Sequence, residues 1–461
     1  MTNTDANQGN RSSRWAVIGG GMLGLGVTRK LLDRGENVTL FESGNTLGGM
    51  TSAWKIGDVV WDRFYHVTLL SDLHLRSLLR ELDLEKEIEW VQTKTGFYSN
   101  GKLHSLSSSI EFLKFPVLNL YQKLRLGGTI FFGSKLKNWK QLEGISVEQW
   151  LLRWSGKSTF EKIWRPLLKC KLGEAYQRTN AAFIWAYIQR MYAARRSGMK
   201  RELFGYVQGG YDRVLQRLAQ QLTAKGVAVR SNSTVTRVFQ DPSCKRWTVV
   251  SRDGNGEQSE EFDRVILTLP SPLVHELVEG LSDDELKRLT STEYLGVVCT
   301  SILLDRPLGG FYVTNITDPG IPITGVIEMG SILKPEQLGG HYLVYLPKYV
   351  MSNDEALQES NDSVHARCVD TLRSMYPSFS PEQVRAIQTA RARYVMALPT
   401  LNYSDGRCPI VNSQSGLYVL NSARIVDGTL NVNEVLRLVD NEFSKTIWPA
   451  HQVALTRSGS G

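Results

Sequence analysis

The sequence predicts an α/β protein with a Rossmann-type nucleotide-binding domain and a second domain. The chain of 461 residues is longer than the roughly 250–300 residues at which one hydrophobic core usually stops growing. Near its start, the stretch VIGGGMLGLG lies between a short apolar strand pattern and a helix pattern. With 42% hydrophobic and 22% charged residues, the composition is that of an ordered globular protein.

Residues 14–42 form the first predicted unit, a strand, a helix and a second strand at Asn37–Glu42. Gly19, Gly21 and Gly24 match the pattern G-x-G-x-x-G. The first glycine permits the tight turn, the second lets the main chain approach a pyrophosphate, and the third lets the helix pack on the strand. The start of the helix then presents unpaired N–H groups to the phosphates, so this unit predicts dinucleotide binding.

Glu42 stands at the end of the second predicted strand, 18 residues beyond Gly24. A carboxylate there can accept both hydroxyls of an adenosine ribose, which favours an adenine dinucleotide without a 2′-phosphate. A second glycine pair, Gly48-Gly49, follows and allows another close backbone approach, with the hydroxyl of Thr51 beside it.

From Val17 to Met50 the chain resembles the flavin-containing amine oxidase superfamily, which includes protoporphyrinogen oxidases and phytoene desaturases. The resemblance implies that the cofactor is FAD, contacted by Gly49, Met50 and Thr51. Members frequently carry an arginine after the glycine pair, and Met50 stands at that position here. The resemblance therefore implies the backbone contacts of the family, whereas its charged phosphate contact is open at this position.

A second block, VQGGYDRVLQRLAQQLTAKGVAVRSNSTVTRV, resembles the family segment in which a glycine pair precedes a helix and two strands. Its apolar residues recur with helical spacing, and Gly226 closes the helix. The resemblance implies that the backbone of Val235 meets the adenine edge, and the alternative is a core valine. The following EFDRVILTLPSPLV resembles the returning strand of the family.

The C-terminal block, SGLYVLNSARIVDGTLNVNEVLRLVDNEF, resembles the last strand, loop and helix of the family. Most members end that strand in Gly-Asp, whose carboxylate holds the ribityl chain, and this chain has Asn421-Ser422. Ser422 can still hydrogen-bond a hydroxyl chain, without a charge. The helix is predicted to begin near Asn431 or Asn433. The resemblance implies that backbone N–H groups at the start of this helix, at Leu430, Asn431 and Val432, contact the flavin. The alternative is an ordinary capped surface helix.

The resemblance implies a GR2-like Rossmann-type FAD-binding domain that a mixed α+β substrate domain interrupts. The FAD-binding domain is predicted in three blocks, 14–75, 203–275 and 391–450. The substrate domain is predicted to have a helical part at 76–202 and a sheet part at 276–390.

The stretch VVWDRFYHVT resembles the family motif D-x-G-x-H, which runs past the flavin ring. This resemblance places Arg63, Tyr65 and His66 at the ring as candidate catalytic residues. His66 could accept a proton near neutral pH, and a hydrogen-bonded structural histidine is the alternative. Further along, Arg165 and Lys169 are possible anchors for a substrate anion beside a helix rich in aromatic residues.

Charge is distributed unevenly around a net value of +8. Residues 112–142 and 175–201 contain no Asp or Glu, and both runs mix basic with apolar residues. Such segments could attract anionic lipid headgroups or an anionic substrate, or they could form an ordinary solvated basic face. The sequence thus leaves peripheral membrane contact and oligomeric state open.

Several classes of protein find little support. No apolar run approaches the ~18 residues needed to span a bilayer, and no secretory signal is recognisable. The five cysteines are scattered without a CxxC pair, which favours a reducing, cytoplasmic location and gives no metal-ligand spacing. We also expect no nucleic-acid partner, because no basic-aromatic repeat is present.

These features predict an FAD-dependent oxidoreductase that moves a hydride from a small-molecule substrate to flavin N5, with reoxidation by oxygen or a quinone-like acceptor. Candidate substrates range from amines to porphyrinogens and isoprenoid polyenes, with a mild preference for lipid-like or anionic ones. Two alternatives stay open. One is a non-redox flavoenzyme similar to UDP-galactopyranose mutases, and the other is a flavin-binding protein with lost catalysis, suggested by Met50 and Ser422.

Overall fold

A computed structural model of the protein describes residues 12–196 and 203–458. In this part of the chain the strands are, in order, β1 (Arg14–Ile18), β2 (Asn37–Phe41), β3 (Ala53–Ile56), β4 (Val59–Asp62), β5 (Thr68–Leu69), β6 (Ile88–Gln92), β7 (Thr95–Ser99), β8 (Lys102–Ser105), β9 (Leu203–Val207), β10 (Ala228–Arg230), β11 (Thr234–Gln240), β12 (Trp247–Asp253), β13 (Gly256–Phe262), β14 (Arg264–Leu267), β15 (Tyr294–Leu304), β16 (Val313–Ile316), β17 (Gly325–Glu328), β18 (Tyr342–Met351), β19 (Val384–Ala397) and β20 (Leu417–Val419).

The described α-helices are α1 (Met22–Leu32), α2 (Leu73–Glu81), α3 (Ser109–Lys114), α4 (Leu120–Lys135), α5 (Val147–Ser155), α6 (Lys157–Thr159), α7 (Arg165–Leu172), α8 (Ala181–Arg196), α9 (Gly210–Ala224), α10 (Ser271–Leu277), α11 (Asp283–Thr290), α12 (Asn361–Met375), α13 (Val432–Glu442) and α14 (Trp448–Ser458). Two π-helical turns, Phe160–Trp164 and Phe443–Ile447, continue α6 into α7 and α13 into α14.

A five-stranded parallel sheet forms the centre of the half that is predicted to bind the dinucleotide. Its strand order is β10-β2-β1-β14-β20, and every neighbouring pair is parallel. Trp15, Val17 and Ile18 of β1 are buried, as expected of a central strand covered on both faces. The predicted strand, helix and strand of residues 14–42 are therefore confirmed as β1, α1 and β2.

Helix α9 follows the predicted apolar pattern. The four residues of its stripe are buried in one core together with residues of α1 and α13: Val214, Leu215, Leu218 and Leu222. Gly226 has a φ of +90° and ends the turn after the helix, as predicted. An antiparallel sheet, β11-β12-β13, follows β10 and leads back to β14.

The half that is predicted to form the substrate domain is built on a seven-stranded sheet with the order β19-β15-β18-β17-β16-β7-β8. Helices α4, α5, α7 and α8 surround a separate apolar core on one side of it. Two predicted domain boundaries fall inside elements, since α2 spans the one at 75/76 and β19 spans the one at 390/391. The predicted helical part, 76–202, also contains β6, β7 and β8, and its residues 197–202 lie outside the described chain.

Candidate functional site

Two glycine turns meet at the carboxyl end of β1. Gly19 has a φ of +108°, and its N–H donates to the carbonyl of Phe41 over 2.9 Å. The N–H of Gly48, whose φ is +114°, donates to the carbonyl of Gly20 over 2.8 Å. These bonds hold both turns beside the start of α1, where Gly21 is the N-cap and no side chain caps the helix.

The turns fit a bound diphosphate because they leave backbone bare where a side chain would intrude. A Cβ atom on Gly21 would have the carbonyl oxygen of Gly48, 4.0 Å away, as its nearest neighbour, so this side of the turn is open. A Cβ on Gly24 would lie only 1.9 Å from the carbonyl oxygen of Gly19. Gly21 thus has the geometry required for close approach by a ligand, whereas Gly24 serves the packing of α1 on the turn.

The turn at Gly48 continues into Gly49, Met50 and Thr51. A Cβ on Gly49 would lie 3.2 Å from the Cα of Gly21, so the two turns touch without side chains between them. The hydroxyl of Thr51 donates to the carbonyl of Gly48 over 2.8 Å, which leaves its oxygen as an acceptor. Met50 is partly buried and packs against the apolar cluster that also contacts Tyr65 and Leu430.

Glu42 directly follows β2 and lies beside the glycine turn. Its Oε2 accepts the N–H of Gly20 over 2.8 Å, and its Oε1 accepts the N–H of Gly44 over 2.7 Å. Each carboxylate oxygen can accept more than one bond, so the group can receive ribose hydroxyls while it holds these loops. The N–H of Ser233 donates to the carbonyl of Glu42 over 2.9 Å, which brings the start of β11 next to this residue.

Val235 lies two residues further along β11, which is an edge strand of its sheet. Its side chain is buried, and the register against β12 shifts between Val235 and Arg237. The backbone of Val235 therefore lies on the strand that adjoins Glu42, as the adenine contact requires. Its role as an adenine contact stays a prediction, and so does the core-valine alternative.

The C-terminal block brings Leu430, Asn431 and Val432 to the other end of the site. Asn431 is the N-cap of α13, and its Oδ1 accepts the N–H of Glu434 over 3.1 Å. The prediction of Asn431 as a cap is thus confirmed, whereas Asn433 has a different role. Its Oδ1 accepts the N–H of His74 over 2.9 Å and so caps α2 from a distant part of the chain.

Ser422 and Leu430 line a narrow cavity with an open mouth between the C-terminal loop, α8 and the end of β19. Its remaining lining residues are mostly apolar: Phe183, Tyr187, Met396, Ala397, Pro399, Ile425, Val426, Gly428 and Thr429. The neighbouring Asn421 instead points inward, where its Nδ2 donates to Ser271 over 3.2 Å. Of the pair that replaces Gly-Asp, only Ser422 lines the cavity.

Arg63 and Trp54 supply two buried donors next to the second glycine turn. The backbone N–H of Arg63 donates to the carbonyl of Ser52 over 3.0 Å, and its guanidinium lies 5.7 Å from the ring centroid of Trp54. Arg63 Nε and Trp54 Nε1 are buried, and neither has a hydrogen-bond partner within residues 12–196 and 203–458. Buried donors without acceptors are costly, so they fit a bound group that carries acceptor oxygens.

Tyr65 faces the seven-stranded sheet. Its hydroxyl lies 3.0 Å from the hydroxyl of Tyr349 on β18, and burial raises the pKa values of both phenols above their usual range. Tyr187, which lines the cavity, further raises the pKa of each by the proximity of its phenol. The aromatic pair therefore adjoins the cavity as two neutral hydroxyl groups.

His66 lies in a different environment, beside a second cavity that Trp61, Tyr206 and Tyr211 also line. Its Nδ1 lies 2.9 Å from the carbonyl oxygen of Phe64, so Nδ1 carries the proton and donates it. Burial lowers the pKa of His66 to about 4. At neutral pH the imidazole is therefore a neutral but weak base, which favours the hydrogen-bonded structural alternative, and its role at the ring stays a prediction.

This assignment predicts an acid-sensitive fold. A histidine whose pKa is about 4 when folded and about 6.5 when unfolded contributes stability above pH 6.5, which is lost as the pH falls toward 4. We expect His66 to account for on the order of 2–3 kcal/mol of that loss. Urea unfolding at both ends of this window should show a flatter pH dependence for His66→Gln than for the wild type. An unchanged slope in His66→Gln would contradict the assignment.

Asp62 has a structural role at the same place. Its carboxylate accepts the N–H of Tyr211 over 2.8 Å at the start of α9, and burial raises its pKa to about 8. The backbone carbonyl of Asp62 accepts the hydroxyl of Tyr345 over 2.5 Å. Through these hydrogen bonds Asp62 connects the end of β4 to α9 and β18.

The two basic residues expected to anchor an anion are already paired. Arg165 forms ion pairs with Glu148 and Glu161, and Lys169 forms one with Glu174 over 2.7 Å. Both charges are paired with neighbouring carboxylates, which disfavours Arg165 and Lys169 as anchors, and their role stays a prediction.

Lys171, which the sequence analysis missed, lies on the inner side of the same helix. Its Nζ is 3.0 Å from the ring centroid of Tyr349, and it makes no ion pair within the described ranges. Burial lowers the pKa of Lys171 to about 7. A usable signal exists, since Lys171 follows the buried Leu168 by three residues and so shares its side of α7.

The assembled site has four parts. The two glycine turns at Gly21 and Gly48 form what we call the glycine cradle, and the carboxylate of Glu42 lies beside it. The buried donors of Arg63 and Trp54 and the aromatic cavity complete the site. Comparison with known proteins matches this chain to the sequence model of the family described as flavin containing amine oxidoreductase, over residues 24–396. The chain belongs to this family. The description of this family states that its members contain a flavin, which supports a flavin cofactor for this chain.

Two relatives illustrate the breadth of the amine oxidoreductase family. The 15-cis-phytoene desaturase of Synechococcus elongatus is 22% identical over 56% of this chain and 58% of its own length. Protoporphyrinogen oxidase 2 of Arabidopsis thaliana is 24% identical over 65% of this chain and 67% of its own length. The match thus spans little more than half of the desaturase.

The fold is likewise that of amine oxidoreductase structures. An oxidoreductase from Methanosarcina mazei superposes with a TM-score of 0.71 at 18% identity, covering 94% of this chain and all of the other. Within residues 12–196 and 203–458, no helix is long and apolar enough to cross a membrane. Nor does this part of the chain hold a group of three or more His, Cys, Asp or Glu residues that could bind a metal ion.

Proposed function

We propose that this protein is an FAD-dependent oxidoreductase that acts on a small, largely apolar substrate. One observation carries the proposal: Gly21 leaves the start of α1 open beside Gly48, with the carboxylate of Glu42 held at the same turn. A diphosphate in the cradle would place the adenosine ribose next to Glu42 and the adenine along β11.

The other half of FAD would extend toward the C-terminal block. The N–H groups of Val432 and Asn433 have no intrahelical acceptor, as in any first helical turn, and the positive end of α13 favours negative charge near the flavin ring. Leu430 and Ser422 border the cavity at that end. Arg63 and Trp54 offer donors beside the second glycine turn, where the family arginine is replaced by Met50.

FAD, when bound, supplies the redox chemistry by accepting a hydride from a substrate C–H or C–N site and passing the electrons to oxygen or a quinone-like acceptor. The chain contributes position and dryness. Phe183, Tyr187 and Met396 give the cavity an apolar wall, and the hydroxyls of Tyr65 and Tyr349 can orient a polar substrate group.

We further propose that the substrate has an apolar body and an anionic group. The apolar body is supported by the cavity lining, and the anionic group by Lys171, whose ammonium lies over Tyr349 without a carboxylate partner in the described chain. Since its pKa is about 7, Lys171 can be charged when an anion is present and can hold or release a proton near neutral pH.

Anaerobic spectra of the purified holoprotein test the proposal. Amines, porphyrinogens, isoprenoid polyenes and nucleotide sugars are added in turn, and a substrate is expected to bleach the oxidised flavin. For an anionic substrate, Lys171→Met should raise the dissociation constant by about ten-fold or more. The matched variant Lys169→Met, which changes a paired surface lysine on the same helix, should bind like the wild type.

Other outcomes favour the alternatives. Turnover of a nucleotide sugar that requires reduced flavin but consumes no electrons would support the mutase-like reaction. A protein that retains FAD while no candidate reduces it would favour lost catalysis, and a protein that does not bind FAD would overturn the proposal. We also propose a reducing, cytoplasmic compartment, which the five free thiols support.

A further inference from the structure

Helices α3 and α4 carry an unusual share of the exposed apolar side chains. Among the described residues, thirteen large hydrophobic side chains are exposed, and six of them lie between Ser109 and Lys135. These six form what we call the apolar surface: Ile110, Leu113, Leu120, Tyr121, Leu124 and Phe131. Each is more than half exposed, so the residues form a concentrated patch rather than isolated side chains.

Helical geometry places the α4 members on one side. Leu120, Leu124 and Phe131 are spaced by four and seven residues, which keeps them on one face of a helix. Gly128 lies on that face as well, and a Cβ there would meet nothing within 4 Å. The opposite face is buried against the protein, and its members include Gln122, Leu126, Thr129 and Gly133.

The surroundings of the apolar surface are cationic. Five exposed basic residues flank it, and none of them forms an ion pair within residues 12–196 and 203–458: Lys114, Lys135, Lys137, Arg153 and Lys157. The nearby carboxylates of Glu148 and Glu161 are occupied by Arg165. Helices α5 and α6, which carry Arg153 and Lys157, pack directly on α4.

We propose that the apolar surface docks on a lipid bilayer with anionic headgroups. Aliphatic and aromatic side chains on one face of α4 can enter the interface between headgroups and acyl chains, while the flanking lysines meet lipid phosphates. A second copy of this chain is a poorer occupant, because a symmetric contact through this face would bring like charges together. The basic residues and the apolar side chains of this region therefore both favour an anionic lipid bilayer as the partner.

The docking surface is also close to the proposed active site. Helix α8 packs behind α4, where Gln189 Nε2 donates to the carbonyl of Gly133 over 2.9 Å. Phe183 and Tyr187 of the same helix line the cavity. One helix therefore separates the bilayer-facing surface from the cavity, which favours a substrate that partitions into lipid. This last step rests on the proposed function, whereas the docking itself does not.

Sedimentation with vesicles tests the docking on the full-length holoprotein. Vesicles of phosphatidylcholine and phosphatidylglycerol in roughly equal amounts are compared with pure phosphatidylcholine vesicles at low and high salt. The wild type is expected to sediment with anionic vesicles at low salt and less at high salt. Leu124→Ser/Phe131→Ser should lower the partition coefficient by about ten-fold or more, because both apolar side chains are lost from the interface.

Matched controls separate this surface from general charge and apolarity. Lys135→Glu/Lys137→Glu should abolish binding to anionic vesicles, whereas Lys245→Glu/Lys445→Glu changes the net charge equally at exposed sites elsewhere and should bind like the wild type. Val60→Ser removes an exposed apolar side chain from β4 and should also have no effect. The proposal is overturned if the wild type fails to sediment, if Leu124→Ser/Phe131→Ser sediments fully, or if sedimentation velocity finds a dimer that this variant dissociates.

Discussion

Replacing Gly21 with valine is expected to give a folded protein that no longer retains FAD. The φ of Gly21 is −71°, which any residue adopts, and a Cβ there would face open space. The chain alone therefore tolerates a side chain at this position, and we expect its unfolding free energy to change by no more than about 1 kcal/mol. A diphosphate that needs the bare turn would be excluded, so the protein should purify without flavin absorbance.

Gly24→Ala is the matched control, because we expect it to destabilise the fold itself rather than to exclude the ligand. Its methyl group would lie 1.9 Å from the carbonyl oxygen of Gly19, and backbone atoms cannot move aside as a flexible side chain can. We expect a loss of about 3 kcal/mol or more in unfolding free energy. Urea unfolding and flavin absorbance together separate the two effects. A Gly21→Val protein with full flavin content would contradict the assignment of the glycine cradle as the diphosphate-binding site.

The parts of the site that the sequence predicted are encoded locally. Gly21, Glu42 and Asn431 are each identified by neighbours within a short stretch: a strand before, a helix after, or a polar residue ahead of an apolar helix. Such patterns determine backbone geometry directly, so the first strand–helix–strand unit and the cap of α13 were predictable.

The parts that the sequence did not predict depend on distant packing. Tyr65 and Tyr349 meet across 284 residues, and Lys171 reaches the same tyrosine from α7. Which face of a helix turns toward which strand follows from the whole tertiary structure, not from local patterns. For the same reason Arg165 and Lys169, which look equivalent to Lys171 in the sequence, proved to be neutralised by carboxylates.

The two basic runs illustrate this dependence further. In the run 175–201, Arg178 pairs with Glu293 and Arg190 pairs with Asp72, and the basic residues beyond Tyr192 fall outside the described side chains. In the run 112–142, the flanking lysines Lys114, Lys135 and Lys137 stay without carboxylate partners in the described chain. Two segments of similar composition therefore differ in the structure. One is tied to the rest of the protein by ion pairs, and the other presents an exposed cationic surface.

Arg190→Met is expected to cause the largest loss of stability among charge-removing variants in this region. Arg190 donates to both oxygens of Asp72, at 2.9 and 3.2 Å, and Asp72 is buried at the start of α2. Without the arginine, the carboxylate keeps the N–H of Leu69 but no cation, and an uncompensated buried charge costs on the order of 3–5 kcal/mol. Urea unfolding near neutral pH measures the change.

A double-mutant cycle shows whether the pair itself is the cause. Asp72→Asn/Arg190→Met removes both charges, and the amide oxygen can still accept from Leu69, so we expect it to recover much of the lost stability. Arg178→Met breaks the exposed pair with Glu293 and should cost no more than about 1 kcal/mol. Equal losses in Arg190→Met and Arg178→Met would contradict the argument. Arg190 lies one turn beyond Tyr187 on α8, so the ion pair also holds in place the helix that lines the cavity. We expect loss of the pair to lower the local stability of the aromatic cavity wall more than that of the glycine cradle.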